Sequence, residues 1–445
     1  MNKQCPIKKK DTPINYEIVK AKIEESKLSN IGKASIREIK RLIDNIENAT
    51  GDRFIRMEMG VPGLPPAKIG IEAEILALRS GVAAIYPDVD GIVPLKSEIS
   101  RFVKMFLNVD VDPAGCVPTV GSMQGSFASF LICNRMYKEK DTTLFIDPGF
   151  PVHKQQHTLL GIKYESFDAY NYRGAKLREK LEEILAKGNI SCILYSNPNN
   201  PSWICFAESE LMCIAELADK YNVVVIEDLA YFAMDFRTDY SIPGQPPYQP
   251  SVAHYTQNYI LLISSSKAFS YAGQRIGMMI ISNKLFNSTA PNLKRFYNSD
   301  VFGKAMTFGT IYPLSSGTSH SAQYALLGIL KAANDGTLDF VAEVKEYGEK
   351  ANIMKKLFLE NGFQIVYDND NGVRIADGFY FTISYPGFTG DQLMEELLYY
   401  GISSISLSIT GSSRNEGLRA CVSLVKREQF PDLEYRLKKF HTDHP

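Results

Sequence analysis

Nowhere in the 445-residue sequence do about 18 apolar residues run together, and no apolar stretch follows the lysines of the opening segment MNKQCPIKKKDTPINY. Neither a membrane-spanning helix nor a secretory leader is expected, and the chain reads as a soluble, cytoplasmic protein. A surplus of charge is missing as well. Lys+Arg total 49 against 50 for Asp+Glu, so bulk electrostatics favour neither nucleic acid nor an anionic membrane, and any partner must be recognised locally. The seven cysteines, at 5, 116, 133, 192, 205, 213 and 421, are odd in number and show no paired spacing. That argues against a disulfide scaffold and a metal cluster, and it fits a reducing compartment. Internal repeats are absent. Tryptophan is reduced to one residue, Trp203. The lysine run at 8–10 reads as a solvated arm.

What remains is an alternation of short apolar runs and amphipathic segments. TTLFID (142–147), SCILYS (191–196), NVVVIED (222–228) and YILLISS (259–265) are rich in branched residues and short enough for buried strands. Between two of them AKLREKLEEILAKG places apolar residues at 177, 181, 184 and 185, a helical period. The pattern predicts an α/β fold with a mostly parallel sheet and crossover helices. After about residue 315 the character shifts to helical SAQYALLGILKAANDG and EYGEKANIMKKLFLENG, then strand-like GFYFTISY and LRACVSL, which suggests a second, smaller α/β lobe. Ahead of the sheet, KASIREIKRLIDNIENATG predicts a helix ending at Gly51 that packs on that lobe or on a neighbouring subunit.

Ligands in open α/β sheets collect beyond the carboxyl ends of the strands, and here each central strand ends in chemistry-bearing residues. SCILYS runs into Asn197-Pro198-Asn199-Asn200-Pro201, NVVVIE into Asp228-Leu229-Ala230-Tyr231, and YILLIS into Ser264, Lys267 and Arg275. TTLFID leads to Phe150 and His153, while Thr119 to Gly125 opens a helical segment whose free N–H groups suit a phosphate. Each residue also has a plainer reading. Lys267 alone is a surface lysine, Asp228 a helix cap, Tyr231 a packed aromatic, Asn200 and Gly60 turn residues, and His153 a satisfied core histidine.

Taken in order, the Asn-Pro, Asp-x-x-Tyr and Ser-x-x-Lys-then-Arg motifs resemble those of the class I/II pyridoxal-phosphate enzymes of the aspartate aminotransferase superfamily, over roughly residues 55–430. The resemblance implies a large cofactor-binding domain at 76–315. A small domain would be built from residues 1–75, which include an arm, and 316–445. It also implies roles. Lys267 would carry the cofactor as an imine, and Asp228 would hold the ring nitrogen protonated. Asn200 and Tyr231 would bond the ring's phenolic oxygen. Ser122, Met123, Ser264 and Arg275 would take the phosphate. Phe150 would stack on the ring, with His153 behind Asp228 to help keep it charged. Arg419, in LRACV, matches the arginine for the substrate α-carboxylate, with Arg414 as its competitor, and Gly60 matches a loop that approaches the substrate. Tyr86 matches a tyrosine reaching the neighbouring subunit's phosphate, hence a homodimer with shared sites.

The sequence departs from the family where Asn200-Pro201-Ser202-Trp203 stands in place of Asn-Pro-Thr-Gly, which leaves the local turn and pocket shape open. The expected activity is transfer of an amino group from an amino acid to a 2-oxo acid by a ping-pong route, with no metal. A lyase, decarboxylase or synthase on the same scaffold is the alternative, because the motifs do not decide which bond at the α-carbon breaks. A transcription regulator using this domain is disfavoured, since no Arg-rich recognition helix precedes residue 55.

Overall fold

The four apolar runs read as strands are strands in the computed structural model, which describes residues 11–445; the lysine run at 8–10 and Cys5 lie outside the described residues. Three more complete the central sheet. These are β1 (Cys116–Thr119), β2 (Thr142–Asp147), β3 (Lys163–Asp168), β4 (Ile190–Ser196), β5 (Val224–Leu229), β6 (Tyr259–Ser264) and β7 (Gly277–Ile281). Their order is β1-β7-β6-β5-β4-β2-β3. Neighbours from β3 through β6 are parallel, and only β7 runs against its two neighbours.

Both faces are covered, which is why these strands read as continuous apolar runs rather than alternating ones. Successive side chains point to opposite faces. Ile226, Ile260, Leu262 and Met279 join a core with Phe130 of helix Gly121–Cys133, whereas Val225, Leu261, Ile263 and Met278 join another with Phe102 and Ile214. Each buried Ile or Leu contributes about 2 kcal/mol to that packing.

Helix His320–Asn334 corrects the expected division of the chain at 316. Ala322, Ala325, Leu326 and Ile329 belong to the same core as Leu95, Ile99 and Phe102 of helix Val93–Leu107, so this helix is part of the large lobe. Periodicity identified a buried face but not what it is buried against. Helix Lys68–Arg79 packs on the same helix, and the expected boundary at 75 therefore falls inside an element.

The small lobe draws on both ends of the chain. Helix Ile36–Thr50 starts at Ser35, whose capping box with Glu38 satisfies two N-terminal donors, and stops at Gly51, whose φ of 80° suits a residue without a Cβ. Its Ile39, Leu42, Ile43 and Ile46 pack with Tyr347, Phe358, Leu397 and Leu437. Ile55–Arg56 pairs in parallel with Ile402–Ser403. A four-stranded antiparallel sheet contains β8 (Tyr380–Ser384) and β9 (Leu418–Cys421) as its middle strands.

Candidate active site

The carboxyl ends of β4, β5 and β6 and the start of helix Gly121–Cys133 border a cleft of about 1050 Å3, to which β8, β9 and the loop at Met59–Val61 also contribute. Every candidate residue but Tyr86 lines it. Lys267 sits in the single turn Ser265–Ala268 directly after β6, with its Nζ 5.6 Å from the centre of the Phe379 ring. Asp228 is the penultimate residue of β5 and is 6% exposed, with Ala230 N–H donating to its Oδ1 at 3.2 Å. Ser264 Oγ accepts from Ser266 N–H at 3.2 Å. Asn200 N–H donates to Ser196 Oγ at 3.2 Å, and its Oδ1 accepts from Arg419 Nη1 at 3.3 Å.

Two arginines line the cleft. Arg275 lies against Gly121, where an added Cβ would come within 2.7 Å of Nη2 and where φ is 64°; that backbone favours glycine. Arg419 is 1% exposed, donates from Nη2 to Glu58 O at 2.7 Å, and leaves a buried Nε without a partner. Its competitor Arg414 lies over the Tyr170 ring at 4.9 Å and bonds Asn171.

Burial sets the electrostatics. It pulls the Lys267 amine down to about 8, with Arg275 and Arg419 acting in the same direction and Cys421 against it. It pushes the Asp228 carboxyl up to about 7, opposed only by the Ala230 N–H. Such opposed shifts in one cleft mark a working site. His153 packs among aromatic rings. Its ring is edge-on to Phe150 at 5.5 Å and to Phe130 at 5.9 Å, and burial lowers its pKa to about 3. Tyr86 stands apart, 90% exposed beside the hollow formed with Ser315–Ser321.

Two aromatic residues were missed or left open by local motifs. Tyr380 lines the cleft, with its hydroxyl accepting from Tyr231 O–H at 2.8 Å; its only sequence signal was alternation in GFYFTISY. Trp203 adopts φ 62°, the backbone of the glycine it replaces, at a cost of about 1–3 kcal/mol. Its indole is fully buried, and Gly378 makes room for it, since a Cβ there would lie 2.1 Å from Cε2.

The model for aminotransferase class I and II matches residues 54–431. The chain belongs to this family. This aminotransferase is 26% identical to the glutamate-pyruvate aminotransferase of Escherichia coli, over 71% of this chain and 70% of that one. It is 25% identical to an S-alkyl-thiohydroximate lyase of Arabidopsis thaliana, over 54% and 51%. The structure of an aspartate aminotransferase from Thermotoga maritima superposes with TM-score 0.73 at 18% identity, over 95% of this chain and 99% of that one. The fold of the aminotransferase is thus that of aspartate aminotransferases, with an α/β large lobe.

Proposed function

We propose that the aminotransferase uses pyridoxal 5'-phosphate, held by Lys267 in the cleft between the two arginines, and works as a cytoplasmic homodimer on amino acids and 2-oxo acids. The observation that carries this reading is Asp228, a buried carboxyl at the end of a central strand that accepts, among the described residues, from one backbone N–H. A cationic ring nitrogen beside it would restore its ordinary ionisation. The rest of the cleft fits the same molecule: Arg275 and the N–H groups of Ser122 and Met123 suit its phosphate, and Phe150 borders the space for its ring.

Bound there, the cofactor would supply an aldehyde able to receive the amino group of one substrate and pass it to the next, which predicts ping-pong kinetics. Arg419 orients the substrate by pairing its α-carboxylate, for which the unpartnered Nε is free. Lys267 then moves the proton at the substrate α-carbon. With its pKa near 8, roughly a tenth of the amine is unprotonated at pH 7, against about one part in three thousand for an ordinary lysine. Asn200 links the arginine to the strand-end loop and, together with Tyr231, would bond the ring's phenolic oxygen. Ser264 adds a hydroxyl to the phosphate side, and the backbone of Gly60 borders the substrate space.

Support for the homodimer comes from a row of exposed apolar side chains. Ile71, Ile75, Leu76 at 70% exposure, and Ile85 stand beside Tyr86, and Phe308 is 63% exposed. Surface of that kind marks an interface, and Tyr86 would reach the partner's phosphate from it.

Loading purified protein with pyridoxal phosphate, reducing with borohydride and mapping the adduct tests the assignment. A visible chromophore and a reduced adduct on Lys267 are expected; a colourless protein with no adduct would overturn it. The lyase relative favours a second reading, elimination or decarboxylation. Incubation with amino donors and no oxo acid separates the two, since repeated turnover without an acceptor would establish the second.

A further inference from the structure

We infer that Tyr380 is a positioning residue of this site: its hydroxyl sets the donor strength of Tyr231, and Trp203, Gly60 and Gly378 hold the two phenols together. The inference rests on the cofactor reading above and extends it to residues outside the strand-end motifs.

Tyr231 follows β5 in the large lobe and Tyr380 lies on β8 in the small one, yet their hydroxyls meet at 2.8 Å with both side chains buried. The rings stand 5.4 Å apart at 74°. Three separate features of the chain serve this one contact. Gly60 leaves space for the Tyr380 hydroxyl, because a Cβ there would lie 2.0 Å from that oxygen. Trp203 packs its edge against Tyr231 at 5.3 Å and Tyr380 at 6.1 Å, and it does so from a left-handed backbone conformation that disfavours a bulky residue. Gly378, two residues before Tyr380, accommodates the indole. A phenylalanine would fill the Tyr380 site equally well, so packing alone gives no reason for the hydroxyl.

Hydrogen-bond accounting supplies one. Each phenol has a single proton, and in this structure Tyr231 donates to Tyr380. When Tyr231 turns its proton towards an acceptor in the cleft, the Tyr380 hydroxyl is placed to rotate and donate into the oxygen of Tyr231. An oxygen that accepts a bond becomes a stronger donor through the second. The Arg419 guanidinium, 4.5 Å from the centre of the Tyr380 ring, increases the acidity of that phenol and so strengthens the first donor of the chain.

The acceptor would be the phenolic oxygen of pyridoxal phosphate. Strong donation to it draws charge away and loosens the proton it shares with the Lys267 nitrogen. Without the Tyr380 hydroxyl that proton is held more tightly. The test is a pH titration of the visible absorbance of loaded protein for wild type, Tyr380→Phe, Tyr231→Phe and the double variant. Tyr380→Phe is expected to raise the midpoint by about 0.5 unit and to add nothing in the Tyr231→Phe background. Emission from Trp203, the only tryptophan, should match wild type in apo Tyr380→Phe, which separates loss of a hydrogen bond from repacking. An unmoved midpoint, an equal shift in both backgrounds, or altered emission would overturn the inference while leaving the cofactor assignment intact. Failure of the wild type to take up the cofactor would overturn both.

Discussion

Asp370 and Asp228 are both buried carboxyl groups beside clefts of the same molecule, and they are treated in opposite ways. Asp370 accepts from Arg173 Nη1 at 2.8 Å, Arg237 Nη2 at 2.9 Å and Cys205 N–H at 3.2 Å. The two arginines are closed in turn by Glu210 at 2.6 Å and Asp235 at 2.7 Å. All of these groups but Glu210 line a hollow of about 300 Å3 in which each of the charges is matched by protein. Burial raises the pKa of Asp228 to about 7, with one backbone N–H to oppose it. Arg419 faces the same cleft with an unpartnered Nε. A closed network joins elements; an open one waits for a ligand. The difference lies in what the carboxyl groups touch, since burial alone does not separate them.

The comparison is sharpest at the reacting amine. Lys267→Ala should slow the amino-donor half-reaction by about 10^4-fold or more in single-turnover measurements, whereas Asp370→Asn should leave the rate of the folded enzyme within about threefold. Stability should divide the other way. Removing the Asp370 charge takes one carboxylate from Arg173 and Arg237, which keep Glu210 and Asp235, and Asp370→Asn is expected to lower unfolding free energy by about 1 kcal/mol in denaturant titrations. A smaller loss, with a large fall in rate, would break the distinction between the two clefts.

The third effect concerns pH. The folded Asp228 pKa, about 7, lies above the ordinary value of 3.8, so the folded state binds the proton more tightly than the unfolded state. Cofactor-free protein should therefore lose stability as pH rises from about 4 to about 7, and that deficit should persist above pH 7. Asp228→Asn should flatten its part of this slope and stabilise the apoprotein at pH 8 by on the order of 1–3 kcal/mol. Glu227, the neighbouring residue, contributes a slope of the same sign, because burial raises its pKa to about 7 as well. The variant therefore reduces the slope without abolishing it. An unchanged slope would show that Asp228 already has a compensating partner.

Strand ends and their polar neighbours were legible because both the apolar run and the motif behind it are contiguous. Lys267, Asp228, Asn200 and Arg275 needed only the rule that loops at the carboxyl edge face one cleft. Helix His320–Asn334 was legible as a helix but not as a member of the large lobe, since an apolar stripe carries no address. The lowered pKa of His153 comes from the burial of its ring, which spacing does not report. Trp203 stood out as a departure, but its meaning depended on Gly378 and on two tyrosines from separate lobes.

The sequence by itself determined the class of fold, the strand-end motifs and the residues that converge on the cleft, because periodicity and short spacings act within a few residues of chain. Tertiary structure alone decided which distant groups meet: Tyr231 with Tyr380, Asp370 with two arginines, Arg275 against Gly121. Those contacts depend on how two separately formed cores pack together, and the free energy of a hydrogen bond or an unpaired charge is set by that packing and not by position along the chain.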